Sequence, residues 1–171
     1  MAENSTVLTL TINGAQRTAE IDTRLLLVEA LRECFGTRGP KVGCATGDCG
    51  ACTVSVNGQI TKSCLRLAVS AEGCEVLTLE GLAGPDGLSP LQQAFWDQHG
   101  FQCGFCLSGM LFAARELLEH NPAPSDTEIR AAISGNLCRC TGYEGIVASI
   151  RSAADVQQQT ASEATAEPVT R

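Results

Sequence analysis

The chain has 171 residues, ten of them cysteine, and a formal net charge of −7 at pH 7. This length allows one ordinary domain or two small ones. The acidic charge argues against nucleic acid and anionic membrane surfaces as partners, since both attract basic patches, and an aromatic content of 4% provides few base-stacking surfaces.

The N-terminal sequence, "MAENSTVLTLTING", resembles no targeting segment. It lacks the basic region, the apolar stretch and the small-residue cleavage site of a signal peptide. Apolar runs elsewhere, such as "LLLV" and "MLFAA", are too short to span a bilayer. We therefore expect a cytoplasmic protein without a membrane span. Thiols stay reduced in that compartment, so clustered cysteines favour metal binding over disulfides.

Residues 1–80 are predicted to form a small mixed sheet crossed by one helix. Alternating apolar residues on both sides of Asn13-Gly14 and of Asn57-Gly58 predict two β-hairpins with type I′ turns. "DTRLLLVEALRECFG" has a helical period, and "CEVLTLEGL" adds a last strand. Between them, the stretch 36–52 contains five glycines and three cysteines, which predicts a loop that approaches a ligand closely.

The chain changes character at residues 81–90, "GLAGPDGLSP", which we interpret as a linker. Residues 91–155 then predict four helices, the content of a small bundle. Ser89 with Pro90 begins the first of them, and capping boxes of Ser125 with Glu128 and of Thr141 with Glu144 begin the last two. Residues 156–171 are polar and without periodicity, which predicts a flexible tail.

The first group of four cysteines follows the C-x4-C-x2-C…C spacing of plant-type [2Fe–2S] proteins. Glycines between them let the loop wrap around inorganic sulfide with its N–H groups pointing inward, which stabilises an anionic cluster. The alternative is a four-thiolate zinc site, but zinc favours paired C-x2–4-C knuckles and one knuckle is missing. The candidate ligands are Cys44, Cys49, Cys52 and Cys64.

The second group of four cysteines lies at the starts of two predicted helices. Free N–H groups and the positive dipole end lower thiolate pKa values there and favour an anionic cluster. C-x2-C combined with C-x-C suits a [2Fe–2S] centre, while the spacing taken alone leaves zinc open. The candidate ligands are Cys103, Cys106, Cys138 and Cys140.

Other metal-binding residue types receive weaker interpretations. Rieske ligation would need His99 and His120, but both fall at helix ends, where histidines commonly cap carbonyl groups. Cys34 is predicted to be a buried thiol on the apolar helix face, and Cys74 has no assigned role. Arg139 either balances cluster charge or pairs with a carboxylate. The chain also has no dinucleotide fingerprint, P-loop or nucleophile constellation, so two redox centres favour electron transfer.

The motifs "GCATGDCGACTVSVNG…SC", "FQCGFC" and "GNLCRCTGY", in this order and over roughly residues 5–155, resemble the small iron–sulfur subunit of the xanthine oxidase family of molybdenum hydroxylases. The resemblance implies an α+β fold: an N-terminal β-grasp, plant-type ferredoxin-like domain followed by a four-helix [2Fe–2S] bundle. It assigns a [2Fe–2S] cluster to each group of four cysteines. "CLSG" at 106–109 departs from the Cys-Thr-Pro-Gly common in relatives but leaves the ligands unchanged.

The resemblance also implies partner subunits. A large subunit would hold molybdenum in a pterin cofactor, expected as the cytosine dinucleotide, and a medium subunit would hold FAD, in a heterotrimer or a dimer of heterotrimers. Electrons would pass from molybdenum through the second cluster and then the first to FAD. In the family, residues matching Gln102 and Cys140 contact the pterin. With about −2 for each oxidised cluster, the formal charge of −7 becomes about −11, which suits docking on complementary surfaces.

Two other functions remain open from the sequence. A freestanding two-cluster ferredoxin would shuttle electrons diffusively, although such a carrier needs neither Gln102 nor a helical bundle. A structural zinc protein with all-cysteine sites would contain zinc and no acid-labile sulfide. The substrate of the assembly is outside the reach of this chain, since substrate selection belongs to the large subunit.

Overall fold

The computed structural model describes residues 4–84 and 87–166, and within these ranges five strands and one short helix precede four further α-helices. The sheet strands are β1 (Ser5–Ile12), β2 (Ala15–Asp22), β3 (Thr53–Val56), β4 (Gln59–Lys62) and β5 (Glu75–Leu77). The helices are a short α1 (Leu27–Glu29), then α2 (Pro90–Asp97), α3 (Leu107–His120), α4 (Asp126–Ala132) and α5 (Tyr143–Ala166). The prediction of a mixed α and β protein is therefore confirmed.

The five strands form one sheet in the order β2-β1-β5-β3-β4. β1 pairs antiparallel with β2 and parallel with β5, while β3 pairs antiparallel with both β4 and β5. Both predicted hairpins are present. Their turns have left-handed backbone at Asn13-Gly14 (φ 51° and 81°) and at Asn57-Gly58 (φ 49° and 81°), as type I′ turns require.

Two separate apolar cores support the two halves. In the first, the sheet packs against the segment around α1 through residues such as Leu10, Leu31 and Val54. In the second, the four later helices pack together through residues such as Phe95, Met110 and Ile150. Side chains at period-2 positions of β1 and at helical periods of α3 and α5 supply these cores.

The predicted helix after β2 is shorter than expected, and the prediction of a buried Cys34 is wrong. After α1 the chain continues as a π-helical turn, Ala30–Cys34, closed by an N–H···O bond from Phe35 to Ala30. A π turn holds more residues than an α turn, so the position after Cys34 enters the core instead. Phe35 is buried while Cys34 is exposed.

The start of α5 does not use the predicted capping box. Glu144 forms a bidentate ion pair with Arg130 on α4, with both N···O distances 2.9 Å. Thr141 has a left-handed φ of 57° and its N–H donates to the Cys138 carbonyl at 3.1 Å. The capping boxes at Ser89 and Ser125 are present, with Gln92 and Glu128 completing them.

Helix α5 continues into the polar segment from residue 156, which the sequence predicted to be a flexible tail. α5 continues to Ala166, because alanine, glutamine and glutamate are good helix formers even without an apolar stripe. Three parts of the chain lie outside the described residues: the N-terminal residues 1–3, residues 85–86 of the predicted linker and residues 167–171 of the predicted tail. No helix in the described ranges combines the length and apolar composition needed to cross a membrane.

Candidate metal centres

The first candidate centre is built by the loop between α1 and β3. Gly47 and Gly50 have left-handed φ values of 88° and 75°, which curl the loop so that its N–H groups face sulfur. The N–H groups of Thr46 and Cys49 each donate to Cys44 Sγ at 3.4 Å. Hydrogen bonds from Thr46, followed by the one from the Cys49 backbone, lower the pKa of Cys44 to about 6, so the thiolate is favoured.

The other two cysteines of this group meet at the base of the loop. Cys52 and Cys64 are buried in a small apolar cluster with Val28. The hairpin of β3 and β4 brings them together, and Ser63 donates to the Cys52 carbonyl through its N–H at 3.4 Å and its hydroxyl at 2.5 Å. Burial, then the neighbouring Cys52 thiol, raises the pKa of Cys64 to about 11. Bound iron would remove this penalty by coordinating the thiolates.

The second candidate centre lies where the predicted helix starts meet. Cys106 is the N-cap of α3, and Cys138 and Cys140 precede α5. Burial, followed by the charge of Cys138, raises the pKa of Cys106 to about 12. Cys103 is more exposed, and an N–H donated by Phe105 at 3.5 Å, with a further contribution from Cys140, lowers its pKa.

All ten cysteines are free thiols. Thiols within each candidate group interact electrostatically: Cys64 with Cys52 and Cys44, and Cys106 with Cys138 and Cys103. Within the described ranges, no group of three or more His, Cys, Asp or Glu residues is arranged around one metal ion. A [2Fe–2S] cluster takes four thiolates over two irons, and each of the two cysteine groups offers four thiols. This donor set fits such a cluster.

The two centres adjoin through a direct contact between the halves of the molecule. The N–H of Leu137, next to Cys138, donates to the carbonyl of Cys49 at 3.0 Å. Nearby, the buried Ser108 hydroxyl on α3 donates to the Thr53 carbonyl on β3 at 2.8 Å. One hydrogen bond therefore connects a candidate ligand of the first centre to the residue before a candidate ligand of the second.

Asn136 fills the space between the halves and was not found from the sequence. A methyl group on Gly50 would lie 1.9 Å from its Oδ1, and one on Gly109 would lie 2.2 Å away. Among the buried side-chain nitrogen and oxygen atoms described, only Asn136 Oδ1 has no hydrogen-bond donor. It faces the Cα hydrogens of both glycines, which are weak donors. Only its position in "GNLCRC", beside candidate ligands, could have indicated a role for Asn136. A polar residue beside such a motif more often faces solvent, so burial was not expected.

The remaining sequence candidates lie apart from this contact or on the surface. His120 Nδ1 lies 2.8 Å from the Glu116 carbonyl, which confirms the capping interpretation for that residue. Cys74 is partly buried, and Asn57 Nδ2 lies 3.4 Å from its sulfur. Gln102 and Arg139 are both exposed. No carboxylate of the described residues forms an ion pair with Arg139, so its predicted carboxylate pairing is absent there.

Comparison with known proteins gives matches over nearly the whole described chain. Residues 10–79 match the 2Fe-2S iron-sulfur cluster binding domain, and residues 78–151 match the [2Fe-2S] binding domain. The small subunit of nicotine 6-hydroxylase from Paenarthrobacter nicotinovorans is 48% identical over 143 residues, covering 83% of this chain and 86% of that protein. Caffeine dehydrogenase subunit gamma from Pseudomonas sp. (strain CBB1) is 47% identical, covering 87% and 91% respectively.

A solved structure agrees with these sequence matches. The structure is similar to a chain of quinoline 2-oxidoreductase from Pseudomonas putida 86, with a TM-score of 0.85 and 46% identity, over 92% of this chain and 98% of that one. The fold and its matches define an iron–sulfur protein with two [2Fe–2S]-binding domains. The chain belongs to the small iron–sulfur subunits of the xanthine oxidase family of molybdenum hydroxylases.

Proposed function

We propose that this chain carries electrons from a molybdenum–pterin centre on a large subunit to FAD on a medium subunit. The observation that carries the proposal is the pair of four-thiol groups, one in each half, joined by the Leu137 N–H···O bond to Cys49. Relatives named as small or gamma subunits of hydroxylases and dehydrogenases support a role inside an assembly. The freestanding ferredoxin is the weaker candidate because those relatives are named as subunits.

We infer that each group of four cysteines binds one [2Fe–2S] cluster, which accepts and releases a single electron when bound. The first set is Cys44, Cys49, Cys52 and Cys64; the second is Cys103, Cys106, Cys138 and Cys140.

The domain organisation is proposed from the same elements. Residues 1–80 would form a β-grasp, plant-type ferredoxin-like domain, since a mixed five-stranded sheet supports the cysteine loop. After a linker at 81–90, residues 91–155 would form the four-helix [2Fe–2S] domain. The separate apolar cores of the two halves support this division.

The two halves would cooperate in moving the electron between sites. The Cys49 carbonyl and the Leu137 N–H provide a short bonded connection at 3.0 Å, beside the buried Asn136 and Ala51. Asn136 and Ser108 hold this connection by filling the space beside it and by bonding Thr53. The electron would pass from the second cysteine group to the first, because the proposed pterin contacts, Gln102 and Cys140, belong to the second group.

The pterin contact is assigned to Gln102 and Cys140. Gln102 is exposed and Cys140 is partly exposed, so both are accessible to a partner's cofactor. We expect the cofactor to be the cytosine dinucleotide form and the assembly to be a heterotrimer or a dimer of heterotrimers in the cytoplasm. The exposed apolar side chains Val42, Leu65, Phe105 and Leu137 lie in or beside the cysteine segments, which suits burial by partner subunits.

Low-temperature EPR of the dithionite-reduced protein tests the proposal. Two distinct spin-half signals and four irons per chain are expected, with matching acid-labile sulfide. Zinc without sulfide would overturn it. Purification from native cells separates the two electron-transfer candidates, since a chain that never copurifies with molybdenum or flavin subunits would favour the freestanding ferredoxin.

A further inference from the structure

Lys41 places a cation from the first half of the molecule against the second candidate centre. It lies three residues before Cys44, and its N–H donates to the Ala51 carbonyl at 2.9 Å. Its Nζ donates to the Gly39 carbonyl at 2.9 Å and lies 5.8 Å from the centroid of the Phe105 ring. The half-buried side chain therefore reaches out of its own loop toward the loop of the other half.

Phe105 connects this cation to the second group of thiols. It lies between Cys103 and Cys106, and its N–H donates to Cys103 Sγ at 3.5 Å. The ring face attracts Nζ, and the ammonium interacts electrostatically with both Cys103 and Cys106. Burial first and Arg32 second lower the pKa of Lys41, while Glu80 and the two thiols oppose that shift. The pKa of Cys103 is lowered mainly by the Phe105 N–H and by Cys140, and Lys41 adds a smaller contribution.

The neighbouring charges are already engaged with backbone groups. Arg32 donates to the carbonyls of Pro40 at 2.9 Å and Arg38 at 3.3 Å. The Glu80 carboxylate accepts the N–H groups of Arg38 at 2.6 Å and Gly39 at 2.7 Å. Glu80 forms no ion pair with Lys41 among the described residues, but its negative charge acts on the ammonium together with Cys103 and Cys106. The positive charge of Lys41 is thus shared between Glu80 and the thiols.

We propose that Lys41 raises the reduction potential of the cluster bound by the second cysteine group, acting across the interface between the halves. This rests on the proposed function, in which that group binds a [2Fe–2S] cluster. Reduction adds one negative charge, and a nearby cation in a partly desolvated site stabilises that state. The first half then sets the potential at which the second centre accepts an electron.

The test compares the wild type with four variants of the full chain, Lys41→Met, Lys41→Arg, Lys62→Met and Cys49→Ser, reconstituted with iron and sulfide under anaerobic conditions. The chain has two lysines, Lys41 and Lys62, and Lys62 is the matched control because it bonds Thr53 Oγ1 at 3.2 Å and the Gly135 carbonyl at 3.4 Å near the same interface. Each protein is titrated with a redox mediator set and followed by EPR. A Cys49→Ser variant assigns the signals, since it lacks the first cluster.

In Lys41→Met the midpoint of the second cluster should become more negative. At the potential where the second cluster of the wild type is half reduced, less than half of that cluster should be reduced in Lys41→Met. The midpoint of the first cluster should shift less. Lys41→Arg should keep the wild-type midpoint, and Lys62→Met should not shift the second cluster selectively. If Lys41→Met loses its clusters, Lys41→Gln replaces it.

An unchanged second midpoint in the Lys41 variant with both signals present would overturn the proposal, and so would an equal shift in Lys62→Met. A wild-type chain without two spin-half signals would instead overturn the proposed function. The two failures are therefore distinguishable.

Discussion

Replacing Gly50 by alanine tests how closely the two halves approach. Gly50 has a left-handed φ of 75°, and a Cβ there would lie 1.9 Å from Asn136 Oδ1 and 3.0 Å from the Gly135 carbonyl oxygen. Both obstacles belong to the second half and are held in place, since Asn136 is buried. The methyl group must therefore push the halves apart or distort the cysteine loop.

Gly14→Ala is the matched control. Gly14 has a φ of 81°, but no atom lies within 4 Å of the place its Cβ would occupy. It should therefore lose only the left-handed backbone preference, about 1 kcal/mol of the free energy of unfolding. Gly50→Ala loses the same amount and adds an overpacking cost of roughly 1–3 kcal/mol. The expected loss for Gly50→Ala is thus about 2–4 kcal/mol.

Urea unfolding of the anaerobically reconstituted proteins, followed by far-UV circular dichroism, measures the two losses. EPR of the fully reduced proteins adds a local measurement, because spin–spin splitting between the clusters depends on their separation. Gly50→Ala should change this splitting and Gly14→Ala should not. Equal losses of stability in the two variants, with unchanged splitting in both, would refute the close contact at Asn136.

Three further substitutions test the proposed sites and the interface. Cys138→Ser should abolish the second EPR signal and assembly with the molybdenum subunit, as measured by copurification; retention of both would contradict the ligand assignment. Cys49→Ser should leave molybdenum reducible by substrate while flavin stays oxidised, and rapid flavin reduction in stopped-flow absorbance would contradict the proposed order. Ser108→Ala removes the hydrogen bond to Thr53, which should lower the free energy of unfolding by about 1 kcal/mol and alter the spin–spin splitting between the clusters. The control Ser149→Ala loses a partly buried hydrogen bond inside α5 and should leave the splitting unchanged.

The features that sequence could predict are those determined by a few adjacent residues. Asn-Gly dipeptides between alternating strands are sufficient to specify type I′ turns, and both turns are present at Gly14 and Gly58. Ser89 and Ser125 each have a glutamine or glutamate three residues later, and both form the capping boxes. The grouping of the cysteines by spacing into two ligand sets stays a prediction.

Predictions failed where a local preference competed with tertiary contacts. Thr141 and Glu144 have the spacing of a capping box, but Glu144 pairs with Arg130 from another helix. Helical periodicity placed Cys34 on the buried face, and the π turn rotated it to the surface. Neither the ion pair nor the turn has a signal in the residues on either side of it.

The contact between the two halves could not be predicted from the sequence, because it requires that Gly50 and Gly109 have no Cβ atom. Gly50 and Gly109 are far apart in the chain, and each has an obvious local explanation: a loop with positive φ in one case and a helix start in the other. Only their approach to Asn136 Oδ1 reveals a second requirement, that no Cβ stand between the halves. This close approach lets the Leu137 N–H reach the Cys49 carbonyl, and it lets Lys41 reach the loop of Phe105. The spacing of the cysteines therefore predicts each centre, whereas residues that are not candidate ligands determine how closely the two halves approach.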